Sequence, residues 1–373
     1  MGHSDSVDKA MQAAVDAHVF PGAVLLVRVN GTIVHHQAYG QTSLIPQREP
    51  AQPDTIYDLA SLTKPLATVT AVLDLMAEGK LRLDDPVASH LGELRGTAVG
   101  DVTVFHLLTH SSGLPWWRPF YQRIGERDRA EPGFLGSEAA KDFVLAEIGR
   151  EALETKPGAK SVYSDLGFIL LGLTVERVTG APAAAHCRAR IYQKISAEPL
   201  FYFQKDGRLP WGDIQKTRVA PTEQDPWRGR MLRGEVHDEN AYALGGIAGH
   251  SGLVGTARAV AALSGTWLDA YHGRPSPLPV EWVRRFVTRQ EQIPGSSWAL
   301  GWDTPSAPSS SGTKFSPQSF GHLGFTGTSL WVDPERELEV VLLSNRVHPT
   351  RENQAIRQFR PRLHDLVVDM LVT

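Results

Sequence analysis

The chain carries a single cysteine, Cys187, among 373 residues. That excludes an internal disulfide and a thiolate metal cluster, and it is what a reducing compartment permits. Charge of one sign is also lacking: 38 lysines and arginines against 41 aspartates and glutamates give a formal net charge of -3. Neither nucleic acid nor an anionic membrane is therefore an expected partner. No apolar run approaches the roughly 20 residues that span a bilayer, and Met1 to Phe20 lacks the basic flank and apolar stretch of a secretory signal. The expected location is the cytoplasm, or the periplasm if a leader peptide was removed. Internal repeats and heptads are missing too. With 42% hydrophobic and 21% charged residues, the composition is that of a globular protein with a sizeable core. Disorder, collagen-like structure and coiled coil are excluded.

The pattern of apolar residues gives the organisation. Gly22 to Tyr39 alternates around Asn30-Gly31, a hairpin signal because both turn residues must accept positive φ. Thr328 to Val332 and Leu338 to Leu343 form a second strand pair around Asp333-Pro334-Glu335-Arg336-Glu337, expected to share one sheet with the first. An amphipathic opening (Val7, Met11, Val15, Val19) and a helical tail from Asn353 to Leu371 flank these strands, the tail helical despite Pro361. Between them lies a helical texture. Leu62, Leu66, Val69, Leu73 and Met76 define a helix stopping at Gly79, and Asp165 stands as N-cap candidate for a second that ends at Gly180. The expected fold class is α+β: an antiparallel β-sheet flanked by N- and C-terminal helices, with an inserted, mostly α-helical lobe. The expectation is a single catalytic domain, with a sheet lobe over about 1–60 and 285–373 and a helical lobe over about 61–284. Two loop-like stretches, Gln204 to Asn240 and Asp303 to Phe320, are long enough to line a site.

The most informative string is Ser61-Leu62-Thr63-Lys64. Residues three apart share a helical face, so the lysine nitrogen can reach the serine oxygen, and a first-turn serine sits at the positive end of the helix dipole. A serine hydroxyl needs a base, and lysine serves as one only when neutral, roughly 3 units below its reference pKa, or about 4 kcal/mol. S-x-x-K alone matches many N-capped helices. Pro65 fixes the helix start close to Ser61. Two further strings complete a pattern. Tyr163-Ser164-Asp165 brings a phenol and a carboxylate to the start of the second helix, and Gly321-His322-Leu323-Gly324 offers a glycine-flanked backbone edge just before the C-terminal strand pair.

In these three elements the chain resembles the serine hydrolases that include class C β-lactamases, penicillin-binding DD-peptidases and related family VIII-type esterases, with S-x-x-K, Y-x-N and K-T-G motifs lining one cleft. The resemblance extends to Tyr57-Asp58-Leu59-Ala60, to the run Leu107 to Pro115 (LLTHSSGLP) and to Gly249-His250-Ser251-Gly252-Leu253. It implies Ser61 as acylated nucleophile, Lys64 as proton acceptor and Tyr163 as proton relay. It also implies an oxyanion hole from the backbone N–H groups of Ser61 and Phe325, and substrate contacts from Asp165, His322, Gly324 and Phe325. No cofactor and no metal are implied. The substrate it implies is a small ester, amide or β-lactam.

Two departures from the family pattern shape the functional expectation. Asp165 stands for the usual asparagine, so either it points away or Lys64 stays charged and holds Tyr163 as phenolate. His322 stands for the lysine of K-T-G, removing a permanent cation that attracts substrate carboxylates. The expected activity is that of an esterase-like or amidase-like hydrolase. The alternatives are a β-lactamase or D-alanyl-D-alanine carboxypeptidase, and a non-catalytic binder of cell-wall fragments.

Other conspicuous residues receive structural readings. His106 and His110, four apart, have no glutamate between them as a zincin helix would, and are read as backbone-bonding. Gly249-His250-Ser251-Gly252 fails the G-x-S-x-G spacing. Trp116, Trp117, Trp227, Trp298 and Trp302 fall in loop or boundary regions, with pocket roles assigned to Trp227 and Trp302. Cys187 is read as buried filler.

Overall fold

The computed structural model describes residues 3–181, 183–195, 200–203 and 216–372. The elements that frame the site are α1 (His3–Asp16), β1 (Gly22–Val29), β2 (Thr32–Ser43), β3 (Glu49–Pro50), α2 (Thr70–Ala77), α3 (Asp165–Thr179), α4 (Ala257–Tyr271), β4 (Phe320–Leu323), β5 (Ser329–Asp333), β6 (Leu338–Ser344) and α5 (Ile356–Leu371). The six strands form one antiparallel sheet in the order β3-β2-β1-β6-β5-β4. The N- and C-terminal strand pairs therefore meet at the β1–β6 seam, where Ala23 lies opposite Ser344 and Val29 opposite Leu338.

Asn30 and Gly31 both take positive φ, +48° and +74°, which matches the twist of a two-residue hairpin and places Val29 opposite Thr32. β1 is apolar at every position from Ala23 to Val27 because both faces of the sheet are covered. Ala23, Leu25 and Val27 pack with Val7 and Met11 of α1 and with Ile356, Leu363 and Val367 of α5. Val24 and Leu26 face the opposite way, into the large core that continues through the helical region. Each of the valine, leucine, isoleucine and methionine side chains among these, fully buried, contributes about 1.5–3 kcal/mol. Pro361 lies inside α5 and removes one helical hydrogen bond; the buried stripe of Ile356, Leu363 and Val367 offsets that loss.

Two sequence expectations are corrected here. The helix expected from Ser61 is a composite: a 3-10 turn at Ala60–Leu62, a π-helical stretch at Lys64–Val69, and only then the α-helix α2. Pro65 has no N–H to give, and Thr68 Oγ donates to Gly249 O instead (2.6 Å), so side-chain and backbone bonds outside the helix take over. The N-cap of α3 is Ser164, whose Oγ accepts the Gly167 N–H (3.3 Å), and not Asp165, which becomes the first helical residue. Ser164 is extended (φ -137°, ψ 120°), the conformation a cap requires. On the sheet face toward the large core, α4 packs on β1 and β6. Glu339 of β6, buried in the sheet, accepts from Arg28 of β1 and from Ser264 of α4, tying the three together.

Within the loop expected over Gln204 to Asn240, residues 204–215 lie outside the described residues. The remainder includes a short hairpin, Gln224–Asp225 with Arg230–Met231, and leads into a helix at Glu239–Ala243.

Candidate active site

Ser61 follows a backbone feature that only the folded chain reveals: Ala60 sits at φ +48°, a left-handed conformation that non-glycine residues adopt at a cost. Asp58 holds it there. Its Oδ1 accepts the Ala60 N–H (2.8 Å) and its Oδ2 the His237 N–H (2.7 Å). Burial pushes the Asp58 carboxyl above its usual range, and the His237 and Ala60 N–H groups pull it back. The strained turn lifts Ser61 to the floor of a cavity of about 780 Å³, among walls that include Trp116, Tyr163, Trp298, His322 and Phe325.

Lys64, fully buried, uses all three of its N–H donors: on Ser61 Oγ (3.1 Å), Asp165 Oδ1 (2.6 Å) and the His250 carbonyl (3.0 Å). That is the complete valence of an ammonium group. Burial favours the neutral amine, but the Asp165 carboxylate, followed by Tyr163, outweighs it, so the Lys64 pKa is raised. The phenol of Tyr163 lies alongside, its ring centroid 4.8 Å from Lys64 Nζ. Burial pushes Tyr163 up to about 12; the charge on Lys64 restrains the rise, while Asp165 adds to it. At neutral pH the cluster thus rests as an ammonium beside a carboxylate, with a neutral phenol. Of the two alternatives left open for Asp165, the carboxylate points at the lysine; the phenol, however, is not ionised at rest.

Close backbone packing makes this convergence possible. A Cβ on Gly249 would lie 2.1 Å from Phe168 O and 2.8 Å from Gly172 Cα, so only glycine lets the loop before Ser251 press against α3. That approach delivers Asp165 and the His250 carbonyl to the same ammonium.

The opposite wall is the end of β4. A Cβ on Gly324 would fall 2.0 Å from Thr328 Oγ and 2.7 Å from Leu59 O, so this strand end lies directly against the turn that precedes Ser61. Thr326 Oγ donates to Asp58 O (2.7 Å) and Thr328 Oγ to Leu59 O (3.0 Å), clamping the two segments. The N–H of Phe325 has no acceptor among the described residues and belongs to the strand end on the cavity rim, where the Phe325 ring is 47% exposed. The ring stacks on His237 at 5.7 Å.

His322 carries no charge here. Its Nδ1–H donates to Leu323 O (2.7 Å), and burial foremost, then Lys64, pushes its pKa down to about 3. The remaining nitrogen, Nε2, is an acceptor without a partner among the described residues. Tyr163 and Trp298 pack against the ring.

Several side chains in the walls were missed by the sequence reading or placed wrongly. Trp302 is fully buried against Trp267 and Phe320 and does not line this cavity, and Trp227 packs on Tyr121 and Tyr242 outside the cavity wall. Both pocket assignments are corrected; Trp116, Trp117 and Trp298 line the cavity instead. A tryptophan in an irregular segment has no periodicity to reveal which way it faces. Arg346, Arg357 and Arg360 also line the cavity, and none has a carboxylate partner among the described residues. Pro308, Ser309 and Ser310, within the stretch expected as a site-lining loop, reach the wall as well. His106 and His110 turn to the backbone, accepting from Thr103 N (3.3 Å) and Ser164 N (3.1 Å). Cys187 is buried, donates to Ala67 O (3.2 Å), and has its thiol pushed up to about 12 by burial.

Comparison with known proteins places this geometry. The profile of a family described as Beta-lactamase matches residues 7–362. A putative D-alanyl-D-alanine carboxypeptidase of Escherichia coli O157:H7 is 33% identical over 366 residues, covering 92% of this chain and 82% of the relative. An N-acetylmuramyl-L-alanine amidase of Bacillus subtilis (strain 168) is 30% identical over 367 residues, covering 92% and 80%. The solved structure of EstCE1, a hydrolase with promiscuous acyltransferase activity, superimposes with a TM-score of 0.74 at 21% identity, covering 98% of both chains.

Proposed function

From the premise that the chain belongs to the Beta-lactamase family of serine hydrolases, we propose that it cleaves small esters or amides through an acyl-enzyme on Ser61. The observation that carries this reading is the Lys64 ammonium, 3.1 Å from Ser61 Oγ and beside the Tyr163 ring, at the floor of a large cavity. In the reactive state the cluster has lost one proton, and Tyr163 stands as phenolate against the Lys64 ammonium. The phenolate takes the Ser61 proton as Oγ attacks the carbonyl carbon, then passes it to the leaving oxygen or nitrogen. The N–H groups of Ser61 and Phe325 meet the developing oxyanion. Water enters where the leaving group departed and gives a proton to Tyr163 as its oxygen bonds to the acyl carbon; the bond from that carbon to Ser61 Oγ then breaks, Tyr163 returns the proton to Oγ, and the acid is released.

His322 supports an ester or amide reading, since a neutral ring with a free acceptor nitrogen offers nothing to a carboxylate. A second reading, a peptidase for substrates with a free carboxylate, is favoured by Arg346 and Arg357 on the same cavity wall and by the name of the Escherichia coli relative. Turnover of p-nitrophenyl esters, aminoacyl amides, penicillins and D-alanyl peptides by one preparation separates them. The acyl-enzyme itself is tested by fluorophosphonate labelling and by the ester burst. Both should vanish in Ser61→Ala, whereas intact turnover by that variant would reject the proposal.

A further inference from the structure

Arg360 is a cation buried at 5% exposure on α5, without a carboxylate partner among the described residues. Burying an unpaired charge is costly unless its hydrogen bonds serve it well. Its Nη2 donates to two backbone carbonyls, Gly324 O (3.2 Å) and Thr328 O (2.7 Å), while Nε has no partner. The Gly324 carbonyl and the Phe325 N–H are opposite ends of one planar peptide unit. The guanidinium therefore holds the carbonyl end of the amide whose N–H has no acceptor among the described residues. The next carbonyl, Phe325 O, is held in the same manner by Arg346 Nε (2.9 Å). Thr328 O, bonded by Arg360, also accepts the Gly324 N–H (2.7 Å), so the arginine closes the tight turn on both sides. Burial, followed by Arg346 and Arg357, pushes Arg360 down to about 9, which leaves it charged at neutral pH.

We propose that Arg360 is a positioning residue for the oxyanion: it orients and polarises the Gly324–Phe325 peptide so that the Phe325 N–H is a stronger donor. A cation on the carbonyl oxygen draws density through the amide and leaves more positive charge on the N–H. Hydrogen bonds in such chains strengthen one another by about 10–30% each. The guanidinium also fixes the peptide plane before the reaction begins, so no reorganisation is needed when the negative oxygen forms. This rests on the acyl-enzyme reading above, with Phe325 N–H as one of the two donors.

The test compares Arg360→Gln, which keeps an N–H donor and loses the charge, Arg360→Met, which loses both, and Arg360→Lys, which keeps the charge. Each is assayed on a p-nitrophenyl ester and on its thionoester, whose larger sulfur accepts hydrogen bonds poorly and gains little from the hole. Arg360→Met is expected to lower kcat for the ester by about tenfold, less than the 10²–10³ lost with a whole donor, while KM stays within about twofold. The ester-to-thionoester rate ratio should fall with it, Arg360→Gln should lie between, and Arg360→Lys should recover part of the loss. A ratio unchanged in Arg360→Gln and Arg360→Met overturns the proposal, even if kcat falls, because that pattern belongs to a structural role. Should Arg360→Met fail to fold, the comparison of Gln with Lys decides the matter: equal ratios reject polarisation. The premise is controlled separately. Turnover surviving Ser61→Ala removes the acyl-enzyme, whereas Ser61-dependent turnover with Arg360-independent ratios removes only the role of Arg360.

Discussion

Asp165 Oδ1 lies 2.6 Å from Lys64 Nζ, and this ion pair sets the protonation of the cluster formed with Tyr163. The carboxylate raises the lysine pKa and adds to the elevation of Tyr163. Because Tyr163 sits at about 12, the ionised phenol is scarce at neutral pH and its fraction grows as pH rises. The kcat/KM of the wild-type enzyme is expected to climb steadily from pH 7 into the alkaline range. In Asp165→Asn both pKa values fall, so the rising limb should move to lower pH. A pH–rate profile of the two proteins checks this; a limb that stays in place or moves upward contradicts the assignment.

His322 is neutral, with its pKa pushed down to about 3, so no limb near pH 6 should arise from it. Replacing it by lysine restores a cation at the strand edge. His322→Lys is expected to favour substrates with a free carboxylate over their methyl esters by roughly tenfold, the equivalent of about 1.4 kcal/mol for one charged hydrogen bond. The measurement is kcat/KM for a matched acid and ester pair. Equal ratios in both proteins would remove His322 from substrate recognition.

Gly324 offers a steric test of the oxyanion wall. Gly324→Ala drives a methyl toward Thr328 Oγ and Leu59 O and must push β4 away from the nucleophile turn. A destabilisation of about 1–3 kcal/mol is expected, together with a fall in kcat larger than any change in KM. Denaturant unfolding and steady-state kinetics report the two effects separately.

The tryptophans divide by position. Trp302, enclosed by Trp267 and Phe320, should cost about 3–5 kcal/mol when cut to alanine, visible as a lower midpoint in urea. Trp116, 60% exposed at the cavity mouth, should leave the midpoint nearly unchanged while altering KM for bulky esters. The reverse outcome would exchange their roles.

Local pattern carried much of this protein. The Asn30-Gly31 turn, the apolar runs of β1 and β6, and the heptad-free amphipathic tail are legible because strand and helix periodicities are properties of neighbouring residues. Ser61 and Lys64 are readable as candidates because the S-x-x-K motif fixes its own spacing, and Tyr163 because its string matches the second motif of the family that the chain resembles. What a motif does not carry is charge state. Whether Asp165 faces Lys64 depends on Ser164 taking the cap and on Gly249 admitting α3, and the second of these joins segments far apart along the chain.

The sequence by itself determined the α+β class and the order of strands and helices along the chain, because each rests on local spacing and hydrophobic periodicity, and its three motifs together singled out the candidate nucleophile and its lysine through the family that they resemble. Only the tertiary structure decided that the lysine is an ammonium, that Trp298 rather than Trp302 borders the cavity, and that an arginine of the last helix grips the peptide behind Phe325. Those outcomes depend on burial and on through-space electrostatics, and neither quantity is defined until distant parts of the chain have packed together.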